Sequence, residues 1–448
     1  MSQLEAVMRR STRTLLFSTL HAELTSKGVQ RREALRASGK SAIHGGGSER
    51  VRRTAAIFVA LCTLVLLVPL GGCVQYRQFN TAPSEYLSTL ELPSDVDVGV
   101  DLAVIEFDEF GMFWDRDQLE VALSRIAERN AESTRGIGVF LYVHGWQNNA
   151  DPARTENDLA RFRLALQDLA TDFSQRADTT PDHIVGVYIG WRGATTRLPL
   201  MNVMTFWDRR RAAERVAGSN LREAFGRITY ASKEHPDSKV LITGHSMGGM
   251  IIGLTLGPTI ETLLMAHGEL GFRSPTDGVH LLNPALDAMA TVQLVDLMKR
   301  RGVVAELRYA DGRVEPAPGP VLVSITSEAD WVTKDAYRLG QWVDRLSIDK
   351  RPLNMDGWPS QSELASHATG HLPFLASHRA FIREGEVVIE PIPGAWNDTP
   401  YWIVSVSSEI GKDHGDINNA RFNEVREQLL FKNRIYDTRV QTWLRTTQ

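Results

Sequence analysis

Short apolar runs alternate along most of the chain with longer segments in which apolar residues recur every three or four positions. The short runs are typical of buried strands, and the longer spacing is typical of helices that pack on one face. The predicted strands are 102–107, 138–143, 184–189, 240–243, 279–282, 321–326 and 401–406. The predicted helices are 117–130, 153–176, the segment from 251 onward, 287–301 and 420–431. This alternation predicts an α/β fold with a doubly wound, mostly parallel sheet, whose ligands bind beyond the carboxyl ends of the strands.

Two long segments interrupt the alternation, and we interpret them as helical insertions. Residues 192–235 contain an arginine-rich helix around 206–211 that could shield the site or touch a membrane surface, with solvated decoration as the alternative. Residues 336–400 carry three of the twelve histidines. Long insertions of this kind usually select the substrate.

The N-terminal part of the chain has the pattern of an export signal. A polar, basic segment (1–50) precedes two arginines and an apolar run over 54–70, which ends in Leu70-Gly71-Gly72-Cys73. Basic residues, an apolar run and small residues before a cleavage point indicate a secretory signal over 51–72. The ending resembles the lipobox of bacterial lipoproteins, so Cys73 is the predicted lipid attachment site, followed by a tether over 73–100. A membrane-spanning anchor is the alternative interpretation of the same run.

Both interpretations place the body of the protein in the cell envelope, facing the periplasm or the exterior. Val74, which stands where an aspartate is associated with inner-membrane retention, favours the outer membrane. Val51 precedes the two arginines, and a GTG start codon is read as valine in a conceptual translation. We therefore hypothesise that translation starts at Val51, with a genuine cytoplasmic leader over 1–50 as the alternative. Peptides from 1–50 in the expressed precursor would end that hypothesis.

Charge and cysteine content exclude several classes of function. The net charge is −4, but residues 73–448 carry 39 Lys and Arg against 50 Asp and Glu. An acidic body argues against nucleic acid as a partner. The two cysteines, Cys62 and Cys73, both fall in the N-terminal segment, so none remains for a disulfide, a zinc site or a thiol nucleophile.

The sequence Gly244-His245-Ser246-Met247-Gly248 stands between a predicted strand and a predicted helix. In such a tight turn, a side chain at either glycine would collide with the neighbouring strand or helix. The turn lifts the serine hydroxyl to a helix N-terminus, where backbone N–H groups favour negative charge. Ser246 is therefore the predicted nucleophile, with an ordinary serine in a glycine-rich turn as the alternative. His245 is assigned to the substrate site, with a structural role as its alternative.

A serine hydroxyl needs a general base, and the base needs an orienting carboxylate. After such a turn, the acid follows a later strand and the histidine follows the last strand. Asp330 lies just beyond 321–326 and His414 lies in a loop after 401–406, so they are the preferred acid and base. The alternatives left open are Glu328 and Asp287 for the acid, and His367, His371 and His378 for the base.

Acyl transfer also needs N–H donors for the developing oxyanion. The Met247 N–H follows the nucleophile, and the Trp146 N–H follows His144-Gly145 at the end of a buried strand. His144 and Gly145 are also assigned to the substrate site, with a core histidine bonded to loop backbone as the alternative for His144. Trp191, after another strand end, is predicted to line the pocket or only to pack.

The His-Gly turn, the turn at Ser246, Asp330 and His414 together resemble the α/β-hydrolase fold, in its serine esterase and lipase branch, over about residues 101–440. The resemblance implies hydrolysis of a small-molecule or lipid ester through an acyl-enzyme, with no metal and no organic cofactor. An amidase or a thioesterase would use the same residues. A catalytically idle hydrolase fold in an envelope lipoprotein is the alternative from a different class.

Overall fold

The structure is a computed structural model, which describes residues 76–176, 181–195, 199–267, 270–338, 358–432, 437 and 439–447. The predicted leader (1–50), the signal sequence (51–72) and Cys73 lie outside the described residues, as does the middle of the second predicted insertion (339–357).

A large, mostly parallel sheet forms the centre of the fold. The strands, in chain order, are β1 (Leu87–Thr89), β2 (Gly99–Glu106), β3 (Ile137–Val143), β4 (His183–Gly190), β5 (Lys239–His245), β6 (Phe272–Arg273), β7 (Gly278–Leu282), β8 (Val304–Tyr309), β9 (Val314–Pro316), β10 (Leu322–Ser327), β11 (His378–Arg383), β12 (Glu386–Pro391), β13 (Tyr401–Val406) and β14 (Val440–Arg445). Among the described residues, ten strands form one sheet in the order β1-β2-β4-β3-β5-β7-β10-β13-β11-β12. Neighbours from β2 to β11 are parallel, and the end strands β1 and β12 pair antiparallel. The predicted fold class is confirmed.

Helices cover both faces of this sheet. They are α1 (Pro83–Tyr86), α2 (Asp117–Glu132), α3 (Asp158–Ser174), α4 (Pro199–Val216), α5 (Ser219–Ser232), α6 (Met247–His267), α7 (Ala288–Arg300), α8 (Gln361–Ser366) and α9 (Ala420–Lys432). Apolar side chains of α3 pack on one face, and those of α2, α5, α6 and α7 pack on the other. Among the described residues, α6 is the helix long and apolar enough to cross a membrane, and its first turns are buried in the core.

Strand β2 illustrates why both faces are apolar. Successive side chains of a strand point to opposite faces, so a strand covered on both sides is apolar at most positions. Leu102 and Val104 pack in the cluster that includes α3, whereas Ala103 and Ile105 pack in the cluster that includes α2 and α6. This is the continuous apolar pattern from which the buried strands were predicted.

The sequence analysis did not predict the second sheet, which has the order β6-β14-β8-β9 and is antiparallel throughout. Its longest pairing joins β8 to β14, near the end of the chain. The folded region therefore extends to Arg445 and not only to about residue 440.

The predicted insertion at 192–235 is the connection between the parallel strands β4 and β5. Leu221, Phe225 and Ile228 of α5 are fully or almost fully buried in the main core. Arg209 and Arg210 of α4 are only 2% and 6% exposed, because both are ion-paired inside the fold. These two arginines therefore do not form the membrane-facing or solvated surface that was considered for this segment.

The predicted tether over 73–100 is also largely structured where it is described. Asn80 is buried, and its backbone N–H and side-chain amide donate to the Glu106 carboxylate at 2.8 and 3.0 Å. The Phe79 N–H donates to the same carboxylate at 3.0 Å. Burial raises the pKa of Glu106, and these hydrogen bonds oppose that rise without cancelling it. The folded region therefore begins about twenty residues before the predicted start at residue 101.

Candidate active site

Ser246 stands at the sharp turn between β5 and α6. Its φ of +56° lies in the left-handed region, which a non-glycine residue rarely adopts. A Cβ at Gly248 would lie 2.0 Å from the Val143 carbonyl oxygen, and a Cβ at Gly244 would lie 2.5 Å from Ile252 Cδ1. Both glycines are therefore required by close packing, as the sequence analysis expected.

The structure brings Ser246, His414 and Asp330 into one hydrogen-bonded chain. His414 Nε2 lies 2.7 Å from Ser246 Oγ, and His414 Nδ1 lies 2.9 Å from Asp330 Oδ2. Ser246 is 3% exposed and Asp330 is fully buried. Both hydrogen bonds have the lengths required for proton transfer from a hydroxyl to an oriented imidazole.

The Asp330 carboxylate is held by four donors. The backbone N–H groups of Val332 and Thr333 donate to Oδ1 at 3.0 and 3.2 Å. His414 Nδ1 and the Thr333 hydroxyl donate to Oδ2. Burial raises the pKa of Asp330. The charge and hydrogen bond of His414 and the hydrogen bond of Thr333 lower this pKa by more than burial raises it, so the net shift is downward. The group is therefore an ionised carboxylate near neutral pH.

The alternative acids are engaged elsewhere. Asp287 accepts a hydrogen bond from Arg210 at 2.8 Å and another from the Tyr337 hydroxyl, and it stands at the start of α7. Glu328 is exposed and accepts from the Ser405 hydroxyl at 3.1 Å. Neither carboxylate contacts a histidine in these hydrogen bonds.

Two of the three alternative histidines lie away from this chain of hydrogen bonds. His367 Nδ1 donates to the Glu363 carbonyl at 2.7 Å, and the ring of His378 stacks on Trp402 with centroids 3.7 Å apart. His371 is different, because its Nε2 lies 2.9 Å from the Thr333 hydroxyl. The hydroxyl donates to Asp330, so it accepts from His371. Burial lowers the pKa of His371 to about 4, which keeps the ring neutral.

The loop that carries His414 is held by two side chains. His245 Nε2 and Asn283 Nδ2 both donate to the His414 carbonyl, at 3.0 and 2.9 Å. Burial, and secondly the charge of His414, lower the pKa of His245 to about 4, so it is a neutral donor. The His245 side chain thus contacts the base loop, which matches the structural alternative of the sequence analysis. Asn283 also accepts from the Ser327 N–H at 2.9 Å.

Sequence reasoning did not select Asn283 or Thr333. Asn283 has a φ of +43°, which places it at a strained position after β7. An asparagine directly after a predicted buried strand was the available signal, since asparagine adopts this backbone region more readily than most residues. For Thr333, nothing in the sequence marks the contact with Asp330 beyond its distance of three residues.

His144, Gly145 and Trp191 form the neighbouring loop. The Trp191 N–H donates to His144 Nε2 at 3.0 Å, and His144 Nδ1 donates to the Gly145 carbonyl at 2.9 Å. The two rings stack with centroids 5.4 Å apart and an interplanar angle of 5°. Both side chains are buried, and burial lowers the pKa of His144. They therefore hold loop backbone in place, while a Cβ at Gly145 would lie 3.0 Å from Ser246 Cβ.

The two predicted oxyanion donors directly follow Ser246 and Gly145 in the chain. Met247 is the first residue of α6, where a backbone N–H has no partner within its own helix. Trp146 follows Gly145, and its indole meets the ring of Phe206 edge-on with centroids 5.1 Å apart. In the part of the chain that the structure describes, no group of three or more His, Cys, Asp or Glu side chains is arranged to hold a metal ion.

Comparisons with known proteins give weak similarities. No family profile matches the sequence, and no curated protein sequence matches it. Among solved structures, TT1662 from Thermus thermophilus is 12% identical, with 68% of this chain and 91% of that chain covered and a TM-score of 0.27. Est1E from Butyrivibrio proteoclasticus is 13% identical, with 44% of this chain and 69% of that chain covered and a TM-score of 0.18. At these values neither similarity carries information about function.

Proposed function

We propose that this protein is a membrane-anchored serine hydrolase that cleaves carboxylic esters through an acyl-enzyme. The observation that carries the proposal is the hydrogen-bonded chain from Ser246 Oγ through His414 to the buried carboxylate of Asp330. A serine in a left-handed turn, a base on its hydroxyl and an ionised acid behind the base are the three parts of an activated nucleophile.

In the proposed reaction, Ser246 Oγ forms a bond to the ester carbonyl carbon while His414 Nε2 takes the hydroxyl proton. The Met247 and Trp146 N–H groups stabilise the negative charge on the carbonyl oxygen. The imidazolium, held by Asp330, then gives its proton to the leaving alcohol oxygen as the carbon–oxygen bond breaks. His414 next deprotonates a water, which attacks the acyl carbon and releases the carboxylic acid as the proton returns to Ser246.

The proposed anchor is a lipid on Cys73, which would hold the enzyme at the cell envelope. One acyl chain gives only marginal membrane binding, and two or more give stable attachment. Mass spectrometry of the N-terminal peptide tests this part, because a lipidated Cys73 as the first residue is the expected product. An intact N-terminal peptide that still contains 51–72 would show that this segment is not cleaved, and would favour a membrane-spanning anchor over the lipid.

The test of the catalytic part is labelling of the detergent-solubilised full-length protein with a fluorophosphonate probe. We expect Ser246→Ala to abolish labelling and His414→Ala to slow it by about three orders of magnitude, because a serine without its base is a poor nucleophile. His378→Ala is the matched control and should be labelled at the wild-type rate. His371→Ala tests the alternative base and should still be labelled. Ester, amide and thioester substrates with the same acyl group then separate the three hydrolase types.

Two outcomes would contradict the proposal. If labelling depends on His371 and not on His414, then His371 is the base and the proposed assignment of His414 is wrong. A folded wild-type protein that is not labelled would indicate a hydrolase fold used only for binding or scaffolding.

A further inference from the structure

The turn over residues 108–112, directly after β2, presents two exposed apolar side chains. Phe110 is 68% exposed and Met112 is 56% exposed. The backbone N–H groups of both residues donate to Asp108 Oδ1 at 2.8 Å, and the Asp108 N–H donates to the Met112 carbonyl at 2.8 Å. These hydrogen bonds within the turn fix its backbone conformation.

Three further hydrogen bonds hold the backbone of this turn. The Gly111 N–H donates to the Asp108 carbonyl at 3.2 Å. Arg215 Nε donates to the Glu109 carbonyl at 2.7 Å, and Asn220 Nδ2 donates to the Gly111 carbonyl at 2.8 Å. Each of these hydrogen bonds lowers the free energy needed to remove the turn backbone from water, which favours its entry into a bilayer interface.

Tyr76 joins the same surface. It is 47% exposed, its ring lies 5.0 Å from that of Trp114, and the Arg192 guanidinium lies 5.4 Å from it. Arg192 also donates to Glu109 of the turn at 2.7 Å. Tyrosine and arginine side chains are typical of the headgroup region of a bilayer, where a ring or a stem is apolar and the tip is polar. We call Tyr76, Phe110 and Met112 the apolar patch.

The patch lies where the chain would leave the membrane. Three peptide steps separate Cys73 from Tyr76, so a lipid on Cys73 would be attached within about 11 Å of the patch. The hydrogen bonds from Phe79 and Asn80 to the buried Glu106 then fix the chain to the domain. The anchor is therefore short and cannot hold the domain far from the bilayer.

The patch and the candidate active site share one edge of the sheet. The turn follows the carboxyl end of β2 and Ser246 follows that of β5, and every strand from β2 to β5 in the sheet order is parallel. Arg192, beside Tyr76, follows Trp191, whose N–H is bonded to His144 in the loop next to Ser246. A bilayer in contact with the patch would therefore lie at the edge of the sheet that carries Ser246.

We infer that the apolar patch inserts into the bilayer interface and holds the active-site edge at the lipid surface, so that the substrates are esters of membrane lipids. This inference rests on the proposed function for the chemistry and on the proposed anchor for the attachment point. The patch supplies the apolar contact, and Arg192 lies against its Tyr76 ring while paired with Glu109.

The first test measures insertion without any activity. The full-length protein is placed in vesicles of phosphatidylethanolamine and phosphatidylglycerol with a polarity-sensitive fluorophore on Met112→Cys. Met265→Cys is the matched control. Met265 is similarly exposed, at 63%, but it lies near the end of α6, whereas Ser246 lies directly before the start of that helix. We expect lipid-borne quenchers to quench position 112 and not position 265. Equal quenching at both positions, or none at 112, would overturn the inference.

The second test measures hydrolysis of a long-chain lipid ester in the same vesicles and of a short-chain ester in solution. We expect Phe110→Ser with Met112→Ser to lower the vesicle rate at least about tenfold, because burial of two such side chains is lost. The solution rate should stay unchanged, and the control pair Leu164→Ser with Met265→Ser should change neither rate. Absence of both activities in the wild type would contradict the proposed function, whereas an unchanged vesicle rate in the patch variant would overturn the docking inference alone. If the patch variant changes only the oligomeric state in detergent, then the patch forms contacts between copies of the protein, and the docking inference is likewise overturned.

Discussion

Each oxygen of the Asp330 carboxylate accepts from two donors, and this fixes the plane of the acid and with it the ring of His414. Thr333 supplies two of the four donors, its backbone N–H and its hydroxyl. The hydroxyl also accepts from His371, so the chain of hydrogen bonds from Ser246 extends beyond the three residues of the proposed triad. At the residue scale, the orientation of the base therefore depends on a threonine that does not touch the substrate.

We expect Thr333→Val to slow fluorophosphonate labelling by about tenfold per folded molecule, because a hydrogen bond to a charged group contributes about 1.5 kcal/mol. Thr333→Ser keeps the hydroxyl and should restore most of the rate. The measurement is the labelling rate of both variants, corrected for the folded fraction from thermal unfolding. If serine is no better than valine, then the methyl packing and not the hydroxyl orients the acid.

Strand ends and chain order were sufficient to select Asp330 and His414 as the pair that the structure brings to Ser246. Both lie just after predicted strands, and the carboxyl ends of parallel strands meet at one edge. The supporting residues could not be selected in this way. Thr333, Asn283 and His245 act through hydrogen bonds to particular atoms of distant loops, and no periodicity or spacing encodes those contacts.

At the scale of elements, strand β2 carries a buried charge that ties three elements together. Asp101 is fully buried and pairs with Arg125 and Arg129 of α2 at 2.9 and 2.8 Å and with His183 of β4 at 2.9 Å. Burial raises the pKa of Asp101, but the hydrogen bonds from His183, Arg129 and Thr89 lower it well below its ordinary value. This network aligns α2 and β4 on β2.

We expect Asp101→Asn to lower the free energy of unfolding by about 3 kcal/mol at pH 7, since it removes one partner of a buried ion pair. The folded pKa is below the unfolded value, so the contribution is complete above the unfolded pKa of about 4 and is lost as the pH falls through the folded pKa. Denaturant unfolding of both proteins at pH 7 and below pH 4 measures this. A difference that does not shrink in acid would contradict the assignment.

The main sheet was predictable from the sequence and the second sheet was not. Strands covered on both faces are apolar at most positions, so they stand out as runs. In β14, buried and half-buried positions alternate, and in β8 only Leu307 is fully buried, so neither strand is a continuous buried apolar run. Their pairing also joins segments more than 130 residues apart. The arginine-rich segment of α4 was predicted to be a surface because arginine is usually exposed. Arg209 is instead buried, and its ion pairs compensate its charge there.

At the scale of the whole molecule, several buried histidines make stability depend on pH. Burial lowers the pKa of His245 and His371 to about 4 and that of His280 to about 3. The unfolded chain binds protons at about pH 6.5, whereas these folded rings do not. Each ring therefore contributes stability that is present above pH 6.5 and is lost as the pH falls towards the folded pKa. The protein as a whole should lose stability between about pH 6.5 and 4.

His280 in β7 isolates this effect, because neither of its ring nitrogens has a hydrogen-bond partner in the described structure. We expect His280→Leu to raise the free energy of unfolding by about 1 kcal/mol at pH 8, since an unsatisfied buried polar group is removed. At pH 5 the gain should be larger by about 2 kcal/mol, because the protonation of His280 in the unfolded chain no longer opposes folding. Denaturant unfolding at the two pH values measures both terms.

His267→Gln is the matched control, because it removes an imidazole from the exposed surface and leaves the buried rings in place. A gain for His280→Leu that is equal at pH 8 and pH 5 would mean that the ring acquires a partner or a proton in the folded protein. Since His280 lies in the strand between β5, which leads to Ser246, and β10, which leads to Asp330, the same variant also tests the candidate site. The site lies at the strand ends and His280 within the sheet, so fluorophosphonate labelling at pH 8 should be retained when the core alone is altered.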